Sequence, residues 1–178
     1  MGRLFVACDL PNTERKRLAA LVRPLAGARW VRTEQLHLTL RFIGEADEAQ
    51  ARAIDLALRE IRQPAFSISL AGLGCFPGLA RPRVLWAGIE AEEGLARLQA
   101  RIETVVRGVG FAPETKAFRP HVTLARFRIP DERATRSFLA KWEGFGGEPF
   151  RVDSFRLYAS VLTGQGAEHT VRADYPLG

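Results

Sequence analysis

A short motif, His-x-Thr-Leu, occurs twice in this chain, at His37–Leu40 and at His121–Leu124. Both copies lie in apolar, β-branched surroundings that predict strands, and residues two apart in a strand point to the same face. Each copy therefore directs one imidazole and one hydroxyl away from the core. If the copies face each other across a cleft, two titratable bases and two hydroxyl donors converge on one point. Such a site suits acid–base chemistry on an anion.

The repetition of the motif separates it from an ordinary strand histidine. A lone histidine in a strand is more often a structural hydrogen-bond partner than a catalyst. Two copies of His and Thr at the same phase are hard to explain by chance, in a chain whose third and last histidine is His169. We therefore predict that His37 and His121 are catalytic and that Thr39 and Thr123 bind the reacting anion.

The residues after each motif extend the similarity between the copies. Arg41 follows the first copy directly, whereas one added residue, Ala125, precedes Arg126 after the second copy. Strand alternation then puts Arg41 on the face of the first imidazole. It puts Arg126 on the face opposite the second imidazole, unless a β-bulge re-aims it.

Hydrophobic periodicity and turn residues predict the elements that position these motifs. Helices are predicted over residues 13–26, 47–63, 92–109 and 130–142. Strands are predicted over residues 3–8, 28–32, 36–43, 66–71, 83–89, 121–129, 150–162 and 168–175, the last two forming a hairpin, with a loop over 72–82. The motifs are 84 residues apart, close to half the chain. We therefore predict an α+β fold of two pseudo-symmetric lobes of antiparallel sheet, with helices outside and the active-site groove between the lobes.

The composition is that of an ordinary soluble globular protein, with 178 residues, 47% apolar and 26% charged. This length fits a single domain over residues 1–178 built of two related lobes. No run approaches the ~18 apolar residues of a membrane helix, and Asp9 interrupts an N-terminal run too short for a signal peptide. We expect a cytoplasmic monomer with no membrane association. Cys8 and Cys75 lie in no metal-ligand spacing and are expected to be buried, reduced and inert.

The net charge of +6 and the pI near 10.1 suggest a polyanionic partner. The cations are nearly all arginine, whose planar fork suits bidentate contact with phosphate. A genome-wide bias toward arginine would explain the same composition, because the arginines are scattered and not massed in one tract. Both explanations stay open.

With its paired motifs the chain resembles the 2H phosphoesterase superfamily, whose signature is two His-x-Thr/Ser motifs. Within that superfamily it is similar to the bacterial and archaeal RNA 2′,3′-cyclic phosphodiesterases, also called 2′-5′ RNA ligases. The similarity extends over nearly the whole chain, through blocks at residues 5–7, 30–45, 84–88 and 119–126 and the closing strands. It implies hydrolysis of RNA or nucleotide 2′,3′-cyclic phosphate ends to 2′-phosphates. It also implies His37 as proton donor to the leaving oxygen and His121 as general base.

The chemistry of the residues agrees with this similarity. Opening a cyclic phosphate needs a water deprotonated on one side and a leaving sugar oxygen protonated on the other, and two imidazoles can do both. Thr39 and Thr123 can donate hydrogen bonds to the non-bridging phosphoryl oxygens. No further His, Cys or carboxylate lies at ligand spacing with the pair, so we predict no metal and no cofactor. The same site used in reverse would join a cyclic phosphate end to a 5′-hydroxyl, making a 2′-5′ linkage.

Further contacts to an RNA or nucleotide substrate are predicted around this centre. Arg41 and Arg126 are candidate phosphate contacts. Phe42, Phe76 and Tyr158 could stack on a base, although aromatic residues in such positions more often belong to the core. Similar proteins tend to carry Tyr or Phe near position 169, which leaves open whether His169 contacts the substrate or is a surface residue. We expect it to be a surface residue. The alternative to an enzyme is an RNA-binding module with a vestigial site, against which two intact His–Thr pairs argue.

Overall fold

A computed structural model describes residues 2–178. Within that range the chain forms ten strands, four α-helices and one short 3₁₀ turn. The strands are β1 (Gly2–Asp9), β2 (Ala28–Trp30), β3 (His37–Ala46), β4 (Phe66–Ile68), β5 (Leu70–Phe76), β6 (Val84–Ile89), β7 (His121–Phe127), β8 (Phe150–Val152), β9 (Ser154–Thr163) and β10 (Gly166–Pro176). The helices are α1 (Asn12–Ala19), α2 (Glu48–Leu58), α3 (Glu93–Gly108) and α4 (Glu132–Lys141), and the 3₁₀ turn is Thr33–Gln35.

Eight strands form one sheet, in the order β10-β9-β1-β3-β7-β6-β5, with β2 paired beside β7. The two motif strands, β3 and β7, are joined through one antiparallel pair, Leu38 and Val122. The sheet therefore divides there into two four-stranded antiparallel halves. The first half is β10-β9-β1-β3, and the second half is β2, β7, β6 and β5. The predicted α+β fold is confirmed.

The two halves of the sheet are not the two halves of the sequence. The C-terminal hairpin of β9 and β10 returns to pair with β1, next to the first motif strand. In exchange, β2 leaves the N-terminal part of the chain and pairs with β7. Each motif strand thus depends on segments from distant parts of the sequence.

Helices cover the outer face of the sheet. Helices α2 and α3 pack against each other and against β3, and α4 reaches β2 through Trp30 and Phe138, whose ring centroids are 5.8 Å apart. Leu38 and Val122 are fully buried beneath the junction of the halves. No helix within residues 2–178 has the length and apolar composition needed to cross a membrane.

Local chemistry explains where the elements begin and end. The side chain of Asp47 accepts a hydrogen bond from the Gln50 backbone N–H, and Gln50 reciprocates, which begins α2 with a capping box. Helix α1 ends at Ala19 and does not reach residue 26. Pro24 disfavours helical geometry at Arg23, so the helix could not continue through that residue. The chain instead tightens into a 3₁₀-type turn, in which Leu21 donates to the Leu18 carbonyl.

The first part of the glycine-rich segment predicted as a loop over residues 72–82 belongs to strand β5, so that prediction is wrong for residues 72–76. Gly72 has φ +74°, at an irregularity in the pairing with β6. A Cβ on Gly74 would lie 2.3 Å from the Trp86 ring, so only glycine leaves room for that ring on the sheet. Of the two cysteines, Cys8 is buried as predicted, whereas Cys75 is half-buried, and both are free thiols.

Candidate active site

The two motifs meet at the junction of the sheet halves. Because Leu38 pairs antiparallel with Val122, the register puts each motif histidine across from the other motif's threonine. Both imidazoles and both hydroxyls point away from the core, into one cavity of about 610 Å³. The predicted convergence of His37, Thr39, His121 and Thr123 is therefore what the structure shows.

Each motif imidazole is held by a backbone carbonyl two residues upstream. His37 Nδ1 lies 2.6 Å from the Gln35 carbonyl oxygen, and His121 Nδ1 lies 2.6 Å from the Arg119 carbonyl oxygen. A carbonyl can only accept, so both Nδ1 atoms carry the proton. Each Nε2 is then left for the groove, where it accepts a proton when the ring is neutral and donates one when the ring is charged.

The surroundings of His37 favour its neutral form. The ring stacks on Phe5 with centroids 4.9 Å apart. Burial lowers the pKa of His37 to about 4, against the raising effect of the Gln35 carbonyl, and nearby His169 lowers it further. A pKa near 4 makes His37 neutral at neutral pH.

This lowered pKa makes the stability of the fold depend on pH. In the unfolded chain His37 binds a proton near pH 6.5, whereas in the folded chain it does so only near pH 4. The unfolded state therefore holds more protons in this window, so acidification from pH 6.5 to 4 removes up to about 3 kcal/mol of unfolding free energy. Denaturant titrations of wild type and His37→Asn across this range test the effect. On acidification, wild type should lose more unfolding free energy than His37→Asn, and equal losses in the two proteins would contradict the effect.

A β-bulge follows each motif at the same position. Pairing of β3 with β1 shifts register between Thr39 and Arg41, and pairing of β7 with β6 shifts between Thr123 and Ala125. The six residues from each histidine onward accordingly show the same sequence of burial, with the fifth residue buried and the sixth exposed. The copies thus correspond residue by residue, and Ala125 is not an insertion.

The bulge decides which side chains after the motif reach the groove. The bulge turns Arg126 into the groove, which is the exception that the sequence analysis allowed for. Phe42 takes the equivalent place beside the first motif. Phe42 is 60% exposed, which leaves its ring free for a ligand. The prediction that Arg41 shares the face of His37 is wrong, because the extra residue of the bulge turns it into the core.

Arg41 has a structural environment. It is 7% exposed, forms an ion pair with Glu103 of α3, and donates to the carbonyls of Phe42 and Ala112. The backbone N–H of Glu114 and the Arg41 guanidinium together outweigh burial and lower the pKa of Glu103. Arg41 therefore ties β3 to α3 and does not line the groove.

The other aromatic candidates support the two imidazoles from the side. Phe76 meets His121 edge-on with centroids 4.9 Å apart. Tyr158 stacks on Phe5 at 5.1 Å, and its hydroxyl donates to Asp9. Neither ring lines the groove, whereas Phe42 does.

The groove is electropositive. Among residues 2–178, Glu168 is the single acidic residue that lines it. Four arginines line it: Arg3, Arg29, Arg32 and Arg126. A concave surface with one sign of charge raises the local concentration of ligands of the opposite sign. The arrangement can therefore hold an anion at the four motif side chains and further negative charge along the groove.

Comparisons with known proteins agree with this geometry. A family model described as the 2′-5′ RNA ligase superfamily matches residues 11–162. The chain belongs to that superfamily. An RNA 2′,3′-cyclic phosphodiesterase of Aeropyrum pernix is 41% identical over 138 residues, which cover 76% of this chain and 78% of that protein. One of Thermotoga maritima is 34% identical over 182 residues, 95% of this chain and 92% of that protein.

Solved structures of the superfamily share the whole fold. E. coli LigT in its apo form superposes with a TM-score of 0.81 at 27% identity, covering 99% of this chain and 97% of that one. LigT complexed with 3′-AMP superposes with a TM-score of 0.78 at 29% identity, covering 99% and 98%. The 2H phosphoesterase resemblance inferred from the motifs is therefore confirmed.

The structure of this superfamily member also brings into the site residues that the sequence did not assign to it. His169 lines the groove beside His37, so its expected surface location is wrong. Its strand, β10, reaches the first motif only through β9 and β1, and no local pattern signals such a distant approach. In the sequence, Arg3, Arg29 and Arg32 are likewise three of many scattered arginines, and only the fold places them together along the groove.

Proposed function

We propose that this protein hydrolyses 2′,3′-cyclic phosphate ends of RNA or nucleotides to 2′-phosphates, without a metal. The observation that carries the proposal is the pair of His–Thr sets on one groove, with both Nε2 atoms free for the substrate. The names of the relatives, RNA 2′,3′-cyclic phosphodiesterases, support the substrate class. The LigT complex with 3′-AMP supports a nucleotide as the class of ligand.

In the proposed reaction, one imidazole removes a proton from water as the water oxygen attacks phosphorus. The bond between phosphorus and the 3′-oxygen breaks, and the other imidazole gives that oxygen its proton. The product carries a 2′-phosphate and a 3′-hydroxyl. Thr39 and Thr123 donate hydrogen bonds to the non-bridging oxygens, where negative charge concentrates in the transition state. No covalent intermediate is needed.

We assign His37 as proton donor and His121 as general base. Before substrate binds, His37 is neutral at neutral pH, because burial lowers its pKa to about 4. As donor it must therefore take up a proton when the anionic cyclic phosphate binds beside it, since an adjacent negative charge raises the pKa of an imidazole.

Phe42 and Arg126 extend the proposed contacts on opposite sides of the reacting group. The Arg126 guanidinium binds phosphate oxygens, and the exposed Phe42 ring stacks on a base. The two positions are equivalent by the shared bulge, so the groove has a charged end and an aromatic end. A 5′-hydroxyl in place of water at the same site would make a 2′-5′ linkage, although water at high concentration favours hydrolysis.

The proposal is tested by incubating the protein with nucleoside and oligonucleotide 2′,3′-cyclic phosphates. Phosphorus NMR should show conversion of the cyclic resonance to that of a 2′-phosphate monoester. Activity should survive exhaustive treatment with EDTA, since within residues 2–178 no three His, Cys, Asp or Glu side chains are grouped to hold a metal ion. Binding of the same substrates without turnover would favour an RNA-binding module. Loss of activity on chelation, restored by zinc or manganese, would contradict metal independence.

The arginines along the groove predict how RNA length affects binding. Each neutralised phosphate on a single strand contributes about −0.7 to the slope of log affinity against log salt. An oligonucleotide ending in a cyclic phosphate should therefore show a steeper salt dependence of KM than a cyclic mononucleotide. Its kcat should differ much less, because both substrates react at the same His–Thr centre.

Matched variants test whether the groove causes this salt dependence. Arg32→Gln should reduce the oligonucleotide slope by about 0.7. Arg133→Gln should leave the slope unchanged, because Arg133 is exposed on α4 outside the groove. Equal slopes for the mononucleotide and the oligonucleotide would mean that the positive charge is a compositional bias.

The monomeric state and the cytoplasmic location stay predictions.

A further inference from the structure

The third histidine, His169, lies against the proposed catalytic centre without belonging to either motif. Its ring is perpendicular to that of His37, with centroids 5.4 Å apart, and it meets Phe5 edge-on at 4.9 Å. It lines the same groove as the four motif side chains.

The hairpin that carries His169 is held in place from the opposite side of the groove. Gln35 donates its side-chain amide to the Ala167 carbonyl at 2.8 Å, and Arg29 donates to the Gln165 carbonyl at 2.5 Å. Gln35 is also the residue whose own carbonyl binds His37 Nδ1. One residue therefore fixes the positions of both His37 and the strand of His169.

The two nitrogens of His169 differ in their surroundings. Nδ1 is buried and has no hydrogen-bond partner among residues 2–178, whereas Nε2 is not buried in this unpaired way. An unsatisfied buried donor is the rarer arrangement in proteins, which favours a bare Nδ1 and a proton on Nε2. Because His169 lines the groove, its Nε2–H is a donor available to a ligand bound there.

We propose that His169 is a third substrate-contacting imidazole, which donates its Nε2–H to a phosphoryl oxygen of the bound nucleotide beside His37. It binds and orients the phosphate and transfers no proton. This inference rests on the proposed function, because the acceptor is the cyclic phosphate of that reaction.

Three substitutions distinguish the contribution of the Nε2–H donor from that of the aromatic ring. The side-chain nitrogen of Gln lies near the position of His Nε2, and that of Asn lies near Nδ1. His169→Phe and His169→Asn should therefore raise KM for a cyclic mononucleotide by about tenfold or more, as expected for loss of a hydrogen bond to a charged group. His169→Gln should stay within about threefold of wild type, and kcat should change less than KM in all three. Val161→Ala is the control, being an exposed residue of the same hairpin outside the groove.

Two results would overturn the inference. One is His169→Phe with wild-type KM, and the other is His169→Gln as impaired as His169→Phe, which would indicate a purely structural ring.

A readout independent of turnover is the ¹⁵N–¹H NMR spectrum of the three histidines. Nε2–H is expected for His169 and Nδ1–H for His37 and His121. Addition of inorganic phosphate or a nucleoside 2′-monophosphate should shift the His169 Nε2 resonance. If wild type hydrolyses no cyclic phosphate, the proposed function fails. The NMR titration alone then decides whether His169 contacts the phosphate. An unshifted His169 resonance with the proton on Nδ1 would reject that contact.

Discussion

Alanine in place of His37 or of His121 is expected to lower kcat by about 10²- to 10⁴-fold, the usual range for removal of a general acid or base. The two imidazoles act on the same bond exchange, so the double variant should be little worse than either single variant. Steady-state kinetics with a cyclic mononucleotide measure all three. Far-ultraviolet circular dichroism and thermal melting check that the fold survives.

A single variant that keeps more than about a tenth of wild-type kcat would contradict the two-histidine mechanism, given the size of acid–base effects. The residual activity of His121→Ala also tests the assigned roles, because only His37 then titrates within the pair. Residual kcat that falls as pH rises supports His37 as proton donor. Residual kcat that rises with pH would make it the base and reverse the assignment.

Valine in place of Thr39 or Thr123 is expected to lower kcat by about 10²- to 10³-fold, the usual loss on removal of one donor to a developing charge. Valine keeps the branched shape of threonine and removes only the hydroxyl. Both threonines are half-buried on the groove, so water cannot freely replace the lost hydrogen bond. KM should change less than kcat, since the donor acts most strongly where charge concentrates.

Serine is the matched control at each position, because it keeps the hydroxyl and loses only the methyl group. Thr39→Ser and Thr123→Ser should each retain most of the wild-type kcat. The pairing of Leu38 with Val122 makes the two threonines equivalent in the sheet, so their valine variants should lose comparable activity. A valine variant as active as its serine counterpart would remove that hydroxyl from the proposed mechanism.

The sequence alone predicted which side chains make up the centre. Two His-x-Thr motifs in β-branched surroundings predict two imidazoles and two hydroxyls on the faces opposite their apolar neighbours, since strand alternation is a local property. The structure agrees, with Leu38 and Val122 fully buried and the four polar side chains on one groove. Helices α2 and α3 were equally predictable, because each has an apolar stripe and an acidic side chain at its N-cap.

Only the tertiary structure decided what surrounds that centre. Whether Arg41 or Phe42 faces the groove depends on a bulge, and a bulge is set by pairing with strand β1, a partner distant in sequence. The same dependence on β6 brings Arg126 into the groove. His169 reaches His37 because a C-terminal hairpin returns to the N-terminal strand. These placements arise from contacts between distant residues, and the alternation of side chains along one strand carries no information about them.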